Sequence, residues 1–501
     1  MDWKDEDPGL PIKFGPCSNA EYDPEPLTPL LRETIVRARQ ACERNARRTG
    51  MSRREFLLSI CGAATTLLVL DACTREAVRS ASPGATPGGG YSIPPEATTE
   101  PDVAHEAIGG EEFVFDIQGH LLEYDLNPIL NGQDFWQRFP QQNCGEDDPR
   151  VCYSIESFLE LMFLRSDTSM LVLSALPIYP EGSPMSAEVM DETRKIVEGL
   201  CQDERVLLHA QALPNLDPSE SSLDAMDETV DRYPIAAWKT FTHFPDVFED
   251  NGKGWWLDDR DPALPQVGER FIQRAVRLGV PTICAHKGFS GGSPYASPAD
   301  IGPAARRHPE VNFVVYHSGF EAGTINPAGE GPYTRATAEV GVNRLITSMK
   351  RAGIGPNQNV YAELGSTWWY VMRYPVQAAH VLGKLLKYVG EDNLLWGTDC
   401  LFYGSPQDQI QALRSFTISE EFQERYGYPE LTPRIKNKIL GRNGARLYGV
   451  EPITDRCEFT RRELERVRRQ LPGRNRTLGP STVAEARVFR EQDRATIVQD
   501  L

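Results

Sequence analysis

The sequence predicts an α/β chain whose central part closes into a (β/α)8 TIM barrel, and three observations predict it. From Glu111 onward, short β-rich runs alternate with helical stretches, the pattern of a parallel sheet with crossover helices. Eight such runs occur, the number that closes a barrel. Several carry a His or Asp at or beside their carboxyl ends, where barrels of this kind place their chemistry. An open doubly wound sheet is the alternative, but no Gly-rich phosphate loop follows the first run.

In order, the predicted strands are Phe113 to His120, Met170 to Leu176, Val206 to Leu213, Ile235 to Phe241, Val280 to His286, Asn312 to Ser318, Asn359 to Leu364 and Leu394 to Asp399. Apolar periodicity places helices over Ala187 to Cys201, Gly268 to Leu278, Ala336 to Arg351 and Val376 to Val389. Thr432 and Pro433 are cap and first residue of a closing helix. In the first strand, alternation puts Val114, Asp116, Gln118 and His120 on one face and Phe113, Phe115 and Ile117 on the other. The apolar face is expected to meet the helices, with the polar one inside the barrel.

Composition bounds the function. The chain has 501 residues, with 53 basic against 71 acidic side chains and a net charge of -18. That balance argues against nucleic acid or an anionic membrane face as a partner and leaves a small molecule as the expected one. Ten cysteines without a Cys-x-x-Cys pair form neither a dense disulfide framework nor a zinc ribbon. Cys144 and Cys152 flank a short loop and are a candidate bridge in an oxidising compartment.

Ahead of the barrel the chain divides into four parts. Residues 1–50 are a leader of unassigned role with a predicted helix from Pro29 to Arg47. Residues 51–73 contain Ser52-Arg53-Arg54-Glu55-Phe56-Leu57 and a moderately apolar run, which resembles a twin-arginine export signal. Leu70-Asp71-Ala72-Cys73 resembles a lipoprotein processing box, with Cys73 as the residue acylated, although Asp71 is unusual there. Residues 74–110, rich in Pro, Gly, Ser and Thr, are expected to be a flexible linker. The expectation is then a bacterial envelope protein, exported by the twin-arginine machinery, with a lipid anchor and self-association left open. Met51 is an alternative start. Residues 111–450 form the barrel, and 451–501 a charged helical extension and tail.

Polar residues at the strand ends converge in a closed barrel: His120, His286, His317 and Asp399. Two neutral imidazoles and a carboxylate suit a divalent ion with open coordination. Lys239, in the fourth strand, is a candidate anchor for a substrate carboxylate, weighed against a solvated or salt-bridged lysine. Lys287 is weighed the same way. His209 and His243 are candidates for supporting roles, while His105, His308 and His380 read as surface or helix residues. Trp255, Trp256, Trp368, Trp369 and Tyr370 follow strands four and seven, as pocket rim or as packing.

The motifs FDIQGHL, PTICAHKG, NFVVYHSG, LLWGTD and the ending IKNKILGRNGARLYGV make the chain resemble the amidohydrolase superfamily. Within it the resemblance is to the amidohydrolase 2 branch, which also holds decarboxylases, and it runs from Phe113 to Val450. It implies that His120, His286 and Asp399 bind one divalent metal, zinc first with manganese or iron as alternatives. It implies a catalytic role for His317, and Asp399 as base for an attacking water. The family places His-x-His or Glu-x-His at the end of strand one, and here Gln118 stands first. Three readings are open for Gln118: a weak ligand through its oxygen, an orienting group behind the metal, or a sign that metal is lost. The leading expectation is a metal-dependent hydrolase of a C–N or C–O bond in an amide, lactone or ester. Non-oxidative decarboxylation of an aromatic or unsaturated acid is the alternative, and a catalytically inactive ligand-binding barrel the third.

Overall fold

Eight runs of apolar and β-branched residues pair side by side, each with the next in sequence and all parallel, in a computed structural model of the chain. The structure describes residues 9–15, 19, 21–22, 26–122, 153–180, 183–201, 203–217, 221–245, 254–289, 293–321 and 330–454. A first short strand, β1 (Gly89–Tyr91), lies outside the barrel. The barrel strands are β2 (Phe115–Gly119), β3 (Met170–Ser174), β4 (Val206–Gln211), β5 (Ile235–Phe241), β6 (Thr282–His286), β7 (Asn312–Tyr316), β8 (Val360–Glu363) and β9 (Leu394–Leu395). Every one falls inside a run read from the sequence. Backbone bonds from the Ile117 N–H to the Trp396 carbonyl and from the Asp399 N–H to the Gln118 carbonyl join β2 to the chain at β9, so the ring closes.

The facing of β2 differs from the expectation. Phe113, Phe115 and Ile117 pack with Met170, Val172, Ala237, Cys284, Val314, Tyr316 and Leu395, a cluster drawn from six strands that fills the barrel itself. Val114 belongs instead to the layer shared with the helices. The reason is a bulge. Asp116 pairs with Leu171, but Gly119 pairs with Leu173, so β2 carries one residue more than β3 over this stretch. An extra residue reverses the alternation beyond it. Apolar side chains therefore fill the lower barrel, while Gln118 and His120 still reach its mouth. Asp116 holds the bulge by accepting from the Gln118 and Thr398 N–H groups, both at 3.0 Å, and from the Thr398 hydroxyl.

The opposite end is closed by the chain after β9. Thr432 accepts from the Ile435 N–H and Pro433 opens the helix, as its sequence predicts. Helix Asn443–Tyr448 then brings Tyr448 to Phe115, Cys284 and His209.

The segment before the barrel is folded. Helix α1 (Pro29–Thr49) starts on a Thr28 cap and ends on Gly50, whose φ of 70° suits a residue without a side chain. Helices α2 (Arg53–Leu57) and α3 (Ile60–Ala81) follow. Leu31, Ala38, Cys42 and Ala46 of α1 and Ala63, Ala64, Leu67 and Leu70 of α3 are buried in one core, and the Asn45 amide donates to Thr65 Oγ1 across the pair. Arg53 and Arg54 occupy the first turn of α2, held by a Ser52–Glu55 capping box. Cys73 is a free, buried thiol. Asp71 accepts the Tyr91 N–H at 3.1 Å and pairs with Arg75, which gives this residue a structural role. No helix among the described residues is long and apolar enough to cross a membrane.

Residues 74–110 are not the flexible linker their composition predicts. α3 runs on to Ala81, β1 pairs antiparallel with β10 (Phe416–Ile418), and helix α4 (Pro101–Ile108) buries Ala104 and Ile108. The glycines that imitate a linker serve close approach: a Cβ on Gly88 would lie 1.9 Å from the Phe422 ring, and one on Gly89 would lie 2.5 Å from the Pro375 carbonyl. Cys144, Cys152 and the segment from Glu458 to Gln470 lie outside the described residues.

Candidate active site

Each strand end delivers its side chain through a specific local geometry. His286 is the last residue of β6. His317 and Asp399 follow β7 and the β9 run with φ of 57° and 61°, and Ser366 beyond β8 has 56°. Non-glycine residues rarely adopt this left-handed backbone, and three of them meeting at one barrel mouth mark a site whose surroundings impose the turn. The Glu363 carboxylate helps to impose it, accepting the N–H of His317 at 2.8 Å and that of Gly365.

The predicted site residues come together in two adjoining groups. In the first, His120 Nε2 lies 3.0 Å from Asp399 Oδ1, and the Gln118 amide donates to the same oxygen at 2.8 Å. Ser366 donates its hydroxyl to Asp399 Oδ2 and meets the Tyr403 hydroxyl at 2.7 Å. In the second, His286 and His317 are in edge contact with ring centres 4.6 Å apart, and Glu21 joins them. Glu21 Oε1 is 3.3 Å from His286 Nε2, and Oε2 is 4.0 Å from His317 Nε2. Asn19 links the groups: its amide nitrogen donates to Asp399 Oδ2 at 2.8 Å and to Glu21 Oε2 at 2.5 Å. Asn19 and Glu21 were not foreseen, because an irregular, Pro-rich segment carries no periodic signal.

Electrostatics give these groups distinct states. Burial raises the Asp399 pKa, but hydrogen bonds from His120 and Ser366 and the nearby His120 and His317 outweigh it and hold the carboxyl below the usual range. Burial pushes His317 down to about 4, with Asp399 opposing and Lys239 assisting, and pushes His286 well down. Both imidazoles are therefore neutral near pH 7. Burial lifts Glu363 to about 8, and it raises Glu21 with the help of Asp399.

Below the mouth, Lys239 is buried and its ammonium has no hydrogen-bond partner among the described residues. It lies 3.1 Å above the Tyr316 ring centre, and burial lowers its pKa to about 8. The salt-bridged alternative therefore does not describe it. That alternative does describe Lys287, which pairs with Asp300 at 2.8 Å and reaches Thr242. His209 faces the Tyr316 hydroxyl at 2.7 Å, and His243 packs on His286. His308 and His380 are buried, against Glu269 and Tyr428 respectively. Trp368, expected at the substrate, packs on Phe416 and donates its indole N–H to the Gln409 carbonyl. Trp369 stacks on Tyr403 at 4.5 Å, behind Ser366. Both indoles are buried.

Comparison with known proteins follows from this geometry. The Amidohydro_2 family model, described as amidohydrolase, matches residues 185–450, more than half of the chain. The chain belongs to the amidohydrolase family. The match takes in His286, His317 and Asp399 and begins after the strand that carries Gln118 and His120. Among solved structures, the chain is similar to an uncharacterized TIM-barrel protein, Bb4693, from Bordetella bronchiseptica, at 13% identity and a TM-score of 0.43, covering 67% of this chain and 98% of that one. It is similar to a 4-oxalomesaconate hydratase, LigJ, from Rhodopseudomonas palustris, at 14% identity and a TM-score of 0.38, over 67% and 96% of the two chains. It is also similar to an amidohydrolase 2 from Bifidobacterium longum subsp. infantis, at 12% identity and a TM-score of 0.35, over 68% and 100%. No curated protein sequence matches the chain.

Amidohydrolases generally use a metal ion, and the donors present fit one. His317 Nε2 is buried without a hydrogen-bond partner, as is Gln118 Oε1. One donor atom each from Glu21, His286 and His317 lie within 4.8 Å of one another. His286 Nε2 lies 3.0 Å from the Gly288 carbonyl, which only accepts, so this contact puts the proton on Nε2; binding a metal through Nε2 would take the other tautomer and give up this bond. Imidazole and carboxylate donors suit zinc, manganese or iron alike.

Proposed function

We propose that this enzyme of the amidohydrolase superfamily is a metal-dependent hydrolase acting on a C–N or C–O bond of a small amide, lactone or ester. The observation that carries the reading is the convergence of His120, His286, His317 and Asp399 at the barrel mouth, with His120 Nε2 3.0 Å from Asp399 Oδ1 and the His286 and His317 rings in edge contact. His120, His286 and Asp399 would hold the ion, with Gln118 next to them. When bound, such an ion acidifies water and polarises a carbonyl.

The chain's own residues supply the rest. Asp399 is the base that takes a proton from the attacking water, and its hydrogen bonds from Gln118 and Ser366 fix the direction of its lone pairs. His317 Nε2 is buried without a hydrogen-bond partner, while its Nδ1 sits 2.8 Å from the Gly365 carbonyl. A hydrogen bond to that carbonyl places the proton on Nδ1, so Nε2 is presented as an acceptor until it is protonated. His317 would protonate the leaving group with the proton that Asp399 takes from the water. Lys239 supplies an ammonium for a carboxylate-bearing substrate from below.

Lys239 also favours a second reading. A buried cation facing the barrel, without a counter-ion at hydrogen-bond distance, suits an acid substrate, as in non-oxidative decarboxylation of an aromatic or unsaturated acid. Elemental analysis of purified full-length protein, followed by ester, lactone and amide panels beside aromatic acids, separates the readings. Release of carbon dioxide with no hydrolytic turnover would replace the first reading with the second. Less than about a tenth of a metal equivalent after reconstitution would sink both.

A further inference from the structure

We propose that Glu21, delivered by the segment ahead of α1, is a metal ligand of this active site, so that the chain before the barrel completes the centre. The inference rests on the metal reading above and adds a donor that lies outside the family match.

Three observations carry it. Among the described residues, one donor atom each from Glu21, His286 and His317 lie within 4.8 Å of one another, and His317 Nε2 is buried without a hydrogen-bond partner. The Asn19 amide nitrogen donates to both the Glu21 and the Asp399 carboxylates, which ties Glu21 to the Asp399 side of the site. Described residues on both sides of Glu21 are also held to the barrel. Before it, Lys13 pairs with Asp408 at 3.3 Å and donates to the Ser405 carbonyl at 2.9 Å. After it, Tyr22 packs on Phe289 and Tyr370 and meets the Tyr403 hydroxyl at 3.2 Å. An anchored segment presents its carboxylate with little further loss of chain entropy.

Chemically, Glu21 supplies what strand one lacks. Gln118 offers an amide oxygen at the barrel mouth, and an amide is a weaker donor than an imidazole or a carboxylate. A carboxylate arriving from another part of the chain restores the missing donor. The Glu21 side chain retains 21% exposure, against 2% and 0% for His286 and His317, so it also lies on the solvent side of the pair.

The test is cobalt titration of the full-length, metal-stripped protein, followed by visible absorption and competition with a chelator. Glu21→Gln keeps size and polarity and removes the charge. It is expected to weaken affinity by about tenfold or more and to shift the cobalt spectrum, with Glu21→Asp intermediate. Circular dichroism of the apo proteins should be unchanged, since Glu21 anchors no helix. Affinity of Glu21→Gln within twofold of the parent, with an unshifted spectrum, would overturn the proposal. An increase in turnover at unchanged affinity would overturn it too, and would make the segment a plug. If the parent takes up no cobalt, the metal reading falls and takes this proposal with it; uptake by the parent that is lost in His286→Asn but kept in Glu21→Gln removes Glu21 alone.

Discussion

His120 Nε2 and Asp399 Oδ1 sit 3.0 Å apart where the first and last strands of the barrel meet, and the Gln118 amide shares that oxygen. Asp399→Asn keeps the volume but offers an N–H or a weaker acceptor to His120. We expect kcat to fall about 10²–10⁴-fold with a retained fold, read by turnover and circular dichroism on one preparation. Unchanged turnover on a substrate the parent hydrolyses would remove Asp399 as base.

Lys239→Met should make the protein more stable and less able to bind acids. An unpartnered buried ammonium costs roughly 1–3 kcal/mol, which the substitution relieves. The lysine titrates at 10.5 ordinarily and at about 8 in the fold. The folded state thus releases the proton first, and the penalty is complete below about pH 8 and gone above about 10.5. The gain from Lys239→Met should accordingly appear in urea melts at pH 7 and shrink as pH rises through that window. For the parent, KM for carboxylated substrates should climb above about pH 8. A pH-independent difference between the two proteins would contradict this account.

Gly365→Ala tests how tightly the site is built. The added Cβ would stand 2.2 Å from Gln118 Oε1 and 2.5 Å from Glu363 Oε1, and Glu363 holds the His317 backbone. Overpacking there should cost about 1–3 kcal/mol and lower kcat by more than KM changes. A fully active, equally stable variant would show that the strand ends can shift without consequence.

Processing can be read by intact mass. The sequence from Ser52 to Cys73 resembles an export signal, whereas removal of residues 1–72 would take away Asn19, Glu21 and most of α3. Active protein purified from its native host should retain its leader if Glu21 belongs to the site. Active protein that begins at Cys73 would instead favour the export reading and exclude Glu21.

What could be read from the sequence follows from how local each signal is. The eight barrel strands were legible because buried parallel strands are apolar, β-rich runs, and His286, His317 and Asp399 because they end such runs. The facing of β2 was not, since one extra residue reverses an alternation that looks perfect in the sequence. The segment from Gly88 to Gly90 reads as linker, yet its glycines are needed where backbone meets Phe422 and Pro375. Residues 52–73 carry a signal-like pattern that a buried helix also satisfies. Glu21 had no local signal, because its meaning lies wholly in long-range contacts.

The Asn19 to Asp399 hydrogen bond spans 380 residues, which sets a timetable for the molecule. Asn19 can bond Asp399 only after the last barrel strand has emerged. If Glu21 belongs to the site, catalytic competence is a late event of maturation, and a cut between Tyr22 and α1 silences the enzyme while leaving the barrel standing.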